Sequence, residues 1–292
     1  MKIMITGSTG QLGSALLRQA KESPESVIGL THRQLDITDT ARLEKVFADR
    51  QPAVVINAAA YTDVDRAEQE PHRAFAANAK GPSHLAACCA KYDIPLVHIS
   101  TDYVFDGTKN SPYLEADPIA PLGIYGQSKA DGEHAVRTVC EKHVILRTAW
   151  LYGVDGRNFV RTMLKLGRER ESVRVVSDQH GSPTCADDLA AAIFDILHRI
   201  PRKKIIPWGT YHFNGKGVTT WYEFADAIFD YARRFGQMRL QQVESITTAE
   251  YPTPARRPPY SVLDCAKIHA NFGIAPAPWR QGLEQTVERL MG

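Results

Sequence analysis

Cysteine is scarce in this sequence, with five residues in a chain of 292, and no two of them form a CxxC pair. An odd number without that spacing favours neither a disulfide framework nor a structural zinc site. Long apolar runs are also missing, since no stretch approaches the ~20 residues of a membrane-spanning helix. The first residues predict a short strand that ends at glycine, rather than a signal peptide. We therefore expect a reduced, soluble protein of the cytoplasm.

An excess of charge of one sign is missing as well. The chain has 35 Lys and Arg against 33 Asp and Glu, which leaves a formal net charge of +2. That balance argues against a protein that binds nucleic acid through bulk electrostatics. The content of 43% hydrophobic and 23% charged residues is typical of a globular protein. The length allows one large domain or two modest ones.

The first 150 residues alternate short apolar runs with helical patterns. Wholly apolar runs of this length are typical of parallel strands that are buried on both faces of a sheet. Strands that alternate with helices predict right-handed crossovers and a Rossmann-type, doubly wound α/β fold. The predicted strands are Ile3–Ile5, Val27–Leu30, Ala53–Ile56, Leu96–Ile99 and His143–Leu146.

The second half of the chain is less regular, although the run from Val173 to Val176 is typical of one more strand. We predict an NAD(P)-binding domain over residues 1–150, rejoined by segments around 173–198, and a smaller substrate-binding lobe over residues 151–292. Thr220 to Glu223 fits a capping box that opens a helix. The proline-rich segment Tyr251–Pro259 can form neither a helix interior nor a central strand. The basic segment from Arg199 to Lys204 is expected to be a solvated loop.

Glycines spaced three apart follow the first predicted strand, in the segment Thr6–Gly13. A strand before this segment and an amphipathic helix after it are the context of a dinucleotide-binding loop. There a pyrophosphate approaches backbone N–H groups at a helix N-terminus, where the helix dipole also favours negative charge. The alternative is a plain tight turn, because turns use glycine freely.

The end of the second strand favours NADPH, with NADH tolerated. NAD sites usually have an acidic residue there that binds the ribose 2′-hydroxyl. In this sequence the strand is followed by His32 and Arg33, and no carboxylate occurs before Asp36. Either basic side chain can pair with a 2′-phosphate, which a carboxylate would repel. The alternative for Arg33 is a solvated loop charge.

A phenol and an ammonium group, on Tyr125 and Lys129, are four residues apart and share one face of a predicted helix. A phenol titrates near pH ~10 in isolation, so it needs a nearby cation to exchange protons near neutrality. Ser100 and Thr101 follow a predicted strand, at the sheet edge where α/β proteins bind ligands. Strand pleating points these two hydroxyls to opposite sides, and the residues alone leave both open.

These motifs resemble those of the extended short-chain dehydrogenase/reductases. Within that superfamily the chain is similar to the dTDP-4-dehydrorhamnose reductase family, and the similarity covers nearly the whole length. The glycine loop and the Tyr–Lys pair are shared across the superfamily, whereas the run from Ser100 to Phe105 and the run from Tyr251 to Pro258 are narrower signals. The other matching segments are Asn57–Thr62, Arg147–Trp150 and Asp178–Thr184.

The resemblance implies an NADPH-dependent reduction of the C4 keto group of dTDP-4-dehydro-L-rhamnose, in dTDP-rhamnose biosynthesis. Tyr125 would donate a proton, Thr101 would hydrogen-bond the same oxygen, and Lys129 would stabilise the tyrosinate and orient the ribose. Ser100 is the alternative to Thr101. The other cofactor-binding residues implied are Gly7, Gly10, Gln11, Leu12, Gly13, Arg33, Asp36, Ile37, Ala60, Tyr61 and Thr62.

On the substrate side the resemblance implies Asp102 and Trp150, in addition to the catalytic hydroxyls. A nucleotide sugar carries a diphosphate, and arginine suits it better than lysine because it binds in a bidentate manner. We therefore expect Arg256 or Arg257, in the proline-rich segment, to contact the diphosphate. The alternative is that both arginines are solvated.

Several other functions remain open at this point. They are reduction of another 4-keto-6-deoxy sugar nucleotide, epimerisation, and a non-catalytic role like that of the regulatory subunit of methionine adenosyltransferase. A dehydratase is less favoured because Tyr103 stands where the dehydratases have a second acid. We expect no metal, nucleic-acid or membrane partner, and a monomer or homodimer. Gly13–Ala15 carries no carboxylate at the place where some relatives are described as binding magnesium between subunits.

Overall fold

The computed structural model describes residues 1–200 and 206–292, so residues 201–204 of the predicted basic loop lie outside the described residues. The strands are β1 Lys2–Thr6, β2 Ser26–Leu30, β3 Val54–Asn57, β4 Leu96–Thr101, β5 His143–Thr148, β6 Leu151–Tyr152, β7 Ser172–Val176, β8 His180–Gly181, β9 Thr184–Cys185, β10 Gly209–His212, β11 Thr219–Thr220 and β12 Gln242–Ile246. The helices are α1 Gln11–Ala20, α2 Thr40–Arg50, α3 Val64–Gln69, α4 Pro71–Phe75, α5 Gly81–Lys91, α6 Ile124–Val139, α7 Phe159–Glu169, α8 Ala186–Arg199, α9 Trp221–Arg233, α10 Ala266–Phe272 and α11 Trp279–Met291.

Six parallel strands form the main sheet, in the order β2-β1-β3-β4-β5-β10. The predicted doubly wound parallel sheet is therefore confirmed. The strand order reverses at β1, because β2 lies on one side of it and β3 on the other. The crevice outside the carboxyl ends of these strands is where open α/β sheets bind ligands.

Apolar side chains cover both faces of this sheet, as the uninterrupted apolar strands predicted. On one face Ile3 and Ile5 pack with α1 and α8, and on the other Met4 packs with α2 and α5. Alternate residues of one strand thus enter two separate cores. This packing fixes the strand ends that carry the site.

A further core lies away from the main sheet, between α7, α9 and α11, and it includes the fully buried Phe224 and Phe229. Strand β7, predicted from its sequence, pairs with β12 in a small separate sheet. Helix α8 and β10 come from the second half of the chain. Nevertheless α8 packs on the main sheet, and β10 pairs with β5 within it. We therefore propose that the chain leaves the first domain near residue 150 and returns to it at α8.

Two further local predictions are met by the structure. Thr220 and Glu223 form the capping box of α9, with hydrogen bonds in both directions. The segment 251–259 contains neither helix nor strand. Within residues 1–200 and 206–292, no helix has both the length and the apolar character needed to cross a membrane.

Candidate active site

The glycine loop joins β1 to the N-terminus of α1. Gly7 has φ +66°, and the Cβ that it lacks would lie 2.6 Å from the backbone nitrogen of Ala59. At Gly13 a Cβ would lie 2.2 Å from the carbonyl oxygen of Gly7. Both positions therefore require glycine, because the loop, the helix and the segment after β3 approach one another too closely for a side chain.

The space in front of this loop suits a dinucleotide. A Cβ on Gly10 would approach only the Gly7 carbonyl, at 3.3 Å, so the helix N-terminus stays accessible. No acidic residue occurs in the first turn of α1, and within the described residues no side chain caps it. Gln11 and Leu12 begin this turn, and Gln11 Oε1 is buried without a hydrogen-bond partner among the described residues. The free N–H groups of this helix N-terminus fit a pyrophosphate.

The loop after β2 carries the predicted adenosine contacts. His32 and Arg33 are exposed, and Arg33 makes no hydrogen bond or ion pair with any described residue. Burial alone would raise the pKa of Asp36, but hydrogen bonds from the backbone and hydroxyl of Thr38, at 2.9 and 2.8 Å, lower it below its usual range. Ile37 is buried. Asp36 thus holds its own loop, and Arg33 is left available to a ligand.

A buried asparagine that sequence reasoning missed holds the third predicted cofactor segment, residues 60–62. Asn78 lies in a π-helical turn over Ala76–Lys80. Its amide accepts from the backbone nitrogen of Tyr61 at 2.8 Å and donates to its carbonyl at 2.9 Å. Asn78 also donates to Ser128 on α6 at 3.0 Å. The segment beside the predicted nicotinamide path is therefore tied to the helix that carries Tyr125, while Ala60 and Thr62 are exposed.

The predicted catalytic groups meet where β4 ends and α6 begins. The side chains of Tyr125 and Thr101 lie close enough for their hydroxyls to interact. Burial raises the pKa of Tyr125 to about 12, and the interaction with Thr101 opposes that rise. The Ser100 hydroxyl, one strand position away, lies on the other side of the pleat and has no hydrogen-bond partner among the described residues. The geometry therefore favours Thr101 over Ser100 as the hydroxyl next to the phenol.

Lys129 is buried one helical turn from Tyr125. Its Nζ donates to the carbonyl oxygen of Ile99 at 2.6 Å. Burial lowers the pKa of Lys129 to about 8, although the Glu133 carboxylate acts in the opposite direction. A buried ammonium group one helical turn from a phenol is well suited to stabilise the tyrosinate, because nearby opposite charge favours the ionised form.

Asp102 is also buried at the end of β4, where its Oδ1 accepts from the Thr101 hydroxyl at 2.9 Å. Burial raises the pKa of Asp102 to about 6, and hydrogen bonds with Ser261 and Thr101 oppose the rise. Sequence reasoning missed Ser261, which reaches this site from the C-terminal part of the chain. The hydroxyl predicted to face the substrate is thus oriented by a carboxylate directly behind it.

Trp150 lies just beyond β5 with φ +48°, an uncommon backbone conformation for a bulky residue. Its indole stacks on that of Trp221, with centroids 3.6 Å apart and planes within 10°. Phe159 packs against Trp221 at 4.7 Å. Such an aromatic stack supplies a flat apolar wall, and only Trp150 was identified from the sequence.

The two predicted arginines differ in their surroundings. Arg257 forms a bidentate ion pair with Asp65 on α3, at 2.7 and 3.1 Å, and it also donates to the carbonyl oxygen of Ala255. Arg256 is exposed and makes no hydrogen bond or ion pair with any described residue. Arg257 therefore fastens the proline-rich segment to the first domain, and Arg256 keeps its guanidinium for a ligand.

The chain is similar to known proteins over nearly its whole length. The family model described as RmlD substrate binding domain matches residues 1–291. A dTDP-4-dehydrorhamnose reductase of Aggregatibacter actinomycetemcomitans is 42% identical over 287 residues, which are 97% of each chain. One of Escherichia coli K12 is 37% identical over 99% of this chain and 98% of its own.

Solved structures agree as well. The dTDP-4-dehydrorhamnose reductase of Clostridium acetobutylicum has a TM-score of 0.94, 39% identity and full coverage of both chains. That of Bacillus anthracis, solved in complex with NADP, has a TM-score of 0.92, 38% identity and 99% coverage of both chains. The NADP complex of this relative agrees with the predicted cofactor, and the names of these relatives bear out the predicted oxidoreductase class. The chain belongs to the dTDP-4-dehydrorhamnose reductase family.

Proposed function

We propose that this protein reduces the C4 keto group of dTDP-4-dehydro-L-rhamnose with NADPH, giving dTDP-L-rhamnose. The observation that carries the proposal is the meeting of Thr101, Tyr125 and Lys129 at the carboxyl end of β4. A hydroxyl, a phenol and a buried ammonium together can bind a carbonyl oxygen and supply it with a proton. The glycine loop two strands away supplies a dinucleotide site within the same crevice.

NADPH, when bound, supplies the hydride that reduces the carbonyl carbon. Tyr125 gives its phenolic proton to the oxygen as negative charge develops on it, and the Thr101 hydroxyl turns from Asp102 to donate a hydrogen bond to the same atom. Lys129 stabilises the tyrosinate that remains and hydrogen-bonds the ribose beside the nicotinamide. One hydride and one proton are consumed for each alcohol formed.

Cofactor binding is assigned by the same proposal to three loops at the sheet edge. Gly7 to Gly13 hold the pyrophosphate through backbone N–H groups. Arg33 pairs with the 2′-phosphate, and Asp36 and Ile37 form the adenine pocket. Ala60 to Thr62 line the path to the nicotinamide.

The nucleotide sugar lies between the end of β4 and the second lobe in this proposal. Asp102 and Trp150 contact the sugar, and Arg256 binds the diphosphate. Arg257 is given the supporting role, because its ion pair with Asp65 holds the segment that carries Arg256. Since nucleotide sugars and NADPH are supplied in the cytoplasm, we place the enzyme there, as a monomer or homodimer.

A substrate panel tests the proposal. Purified protein is incubated with dTDP-4-dehydro-L-rhamnose and NADPH, and in parallel with UDP-glucose and NAD⁺ or with dTDP-glucose and NAD⁺. We expect NADPH oxidation equal to product formed in the first mixture and no conversion in the other two. Epimer formed without net use of cofactor would overturn the proposal in favour of an epimerase, and inactivity in all three mixtures would favour a non-catalytic role.

A further inference from the structure

The catalytic face of α6 continues past Lys129 to a buried carboxylate that the proposed mechanism does not use. Tyr125, Lys129 and Glu133 are spaced four residues apart, so they form one line along the helix. Lys129 is 2% exposed and Glu133 is 0% exposed. Two opposite charges buried one helical turn apart are costly to bury unless each meets a partner.

Glu133 is fixed by arginines from two elements. Arg147 on β5 donates to both of its oxygens, at 2.8 and 2.7 Å, and Arg137 on α6 donates at 2.9 Å. Burial alone would raise the pKa of Glu133, but the hydrogen bonds and charge of Arg147 lower it below its usual range. Glu133 is therefore ionised throughout the working pH range.

Arg147 is itself held in place. Its guanidinium lies 5.1 Å from the ring centroid of Phe105 and 3.4 Å from Nε2 of His212 on β10. The backbone of β5 pairs Arg147 with Ser100, directly beside the catalytic strand end. The carboxylate of Glu133 is thus a rigid negative charge between the sheet and α6.

Lys129 is faced by groups from two elements. On β4 the carbonyl oxygen of Ile99 accepts a hydrogen bond from Nζ of Lys129. His98, also on β4, is neutral because burial and the charge of Lys129 hold the pKa of His98 well below its usual value. On α6 the neighbours are Tyr125 and Glu133. Among the described residues, Glu133 is the carboxylate whose charge acts on Lys129.

We propose that Glu133, fixed by Arg147, is a positioning residue that keeps Lys129 protonated and aimed at Tyr125. The inference rests on the proposed function, because it assigns Glu133 a part in the same proton transfer. Glu133 contacts neither substrate nor cofactor, and it acts through Lys129 alone. Without this carboxylate, burial would favour the neutral amine.

The test is a titration of Lys129 in the protein without cofactor. Lysines carrying ¹³C labels are followed by NMR from pH 6 to 11, and Lys129→Met identifies the signal. In Glu133→Gln we expect the midpoint of Lys129 to fall by about one pH unit, because the stabilising anion is lost. At pH 8 this leaves about fivefold less protonated Lys129, and the alkaline limb of kcat moves down by the same amount. Glu133→Asp should restore part of the shift.

A second variant guards against loss of folding. Glu133→Gln leaves Arg147 buried without its partner, whereas Glu133→Gln with Arg147→Met replaces the pair by neutral groups, a change that buried ion pairs often tolerate. The midpoint of Lys129 should fall in this variant too, while Arg137→Ala, the matched control, should leave it within about 0.2 units.

An unchanged midpoint in a folded Glu133 variant would overturn the inference, and failure of both variants to fold would assign Glu133 a purely structural role. Because the titration needs no substrate, its outcome is independent of whether the sugar nucleotide is reduced. Inactivity of the wild-type protein would contradict the proposed function and leave the measured link between Glu133 and Lys129 standing.

Discussion

Tyr125 and its neighbour Tyr103 pack edge to face, with their ring centroids 5.6 Å apart. The Tyr125 hydroxyl lies next to that of Thr101. We expect Tyr125→Phe to bind NADPH normally and to lose about 10²–10⁴ in kcat, since only the transferable proton is removed. Steady-state kinetics and cofactor fluorescence measure the two effects. Tyr103→Phe is the control and should keep most activity, and a Tyr125→Phe variant within threefold of wild type would remove Tyr125 from the mechanism.

Arg33 is the residue that we expect to decide between NADPH and NADH. Because its guanidinium has no partner among the described residues, Arg33→Ala should leave the fold intact. We expect the KM for NADPH to rise about tenfold, as for loss of a charge-assisted hydrogen bond, and the KM for NADH to stay nearly unchanged. Arg50→Ala, at the far end of α2, should change neither. Equal losses for both cofactors would make Arg33 an ordinary surface residue.

Arg256 and Arg257 are adjacent, but their alanine variants should differ in substrate affinity and in melting temperature. Arg256→Ala should raise the KM for the sugar nucleotide without lowering the melting temperature, and Arg256→Lys should recover only part, since a point charge lacks bidentate geometry. Arg257→Ala breaks the pair with Asp65, so it should lower the melting temperature as well as affinity. An unchanged sugar-nucleotide KM in the double alanine variant would show that neither arginine contributes to substrate binding.

Sequence reasoning at this scale found residues whose role follows from local spacing. Tyr125 and Lys129 share a helix face, and Thr101 ends a strand, so their chemistry could be predicted from the sequence alone. Asn78, Ser261 and Trp221 could not be found in this way, because each joins the site through contacts with residues distant in sequence. A polar residue in an Ala-rich helix was the one local signal for Asn78.

Helix α9 depends on the buried N-cap residue that precedes it, Thr220. Thr220 accepts from the backbone nitrogen of Glu223 at 3.1 Å, and Glu223 accepts from that of Thr220 at 3.0 Å. Thr220→Ala should lower the free energy of unfolding by about 1 kcal/mol, a fall of ~2–4 °C in melting temperature by calorimetry. Thr220→Ser keeps the acceptor and should stay close to wild type. Equal melting temperatures for all three proteins would show that the cap contributes nothing measurable.

Elements with a strong hydrophobic period were predictable, whereas their partners in the second half were not. The apolar strands of the first half gave the parallel sheet, because a strand buried on both faces has few alternatives. Strand β7 was recognisable from Val173 to Val176, but its pairing with β12 depends on a segment about 70 residues away. The π-helical turn at Ala76–Lys80 has no period of its own that distinguishes it from an α-helix.

The two halves of the molecule are joined by charge as well as by apolar packing. Arg18 on α1 pairs with Asp155, before α7, and with Asp187 on α8 at 2.6 Å. Asp187 also binds Arg289 on α11 at 2.7 Å. Arg18 belongs to the helix that follows the glycine loop, so these contacts hold the lobe that would carry the nucleotide sugar against the domain that would carry the cofactor. Composition and net charge alone gave no sign of this arrangement.

Transfer of hydride to C4 of the sugar is the central claim for the whole molecule, and isotope transfer tests it most directly. The two NADPH diastereomers deuterated at C4 of the nicotinamide are each incubated with dTDP-4-dehydro-L-rhamnose and the protein, and the sugar is examined by NMR. We expect one diastereomer, and not the other, to give dTDP-L-rhamnose with one deuterium at C4 for each NADPH oxidised. Recovery of the keto sugar, or of a product that lacks deuterium at C4 with both diastereomers, would contradict the account.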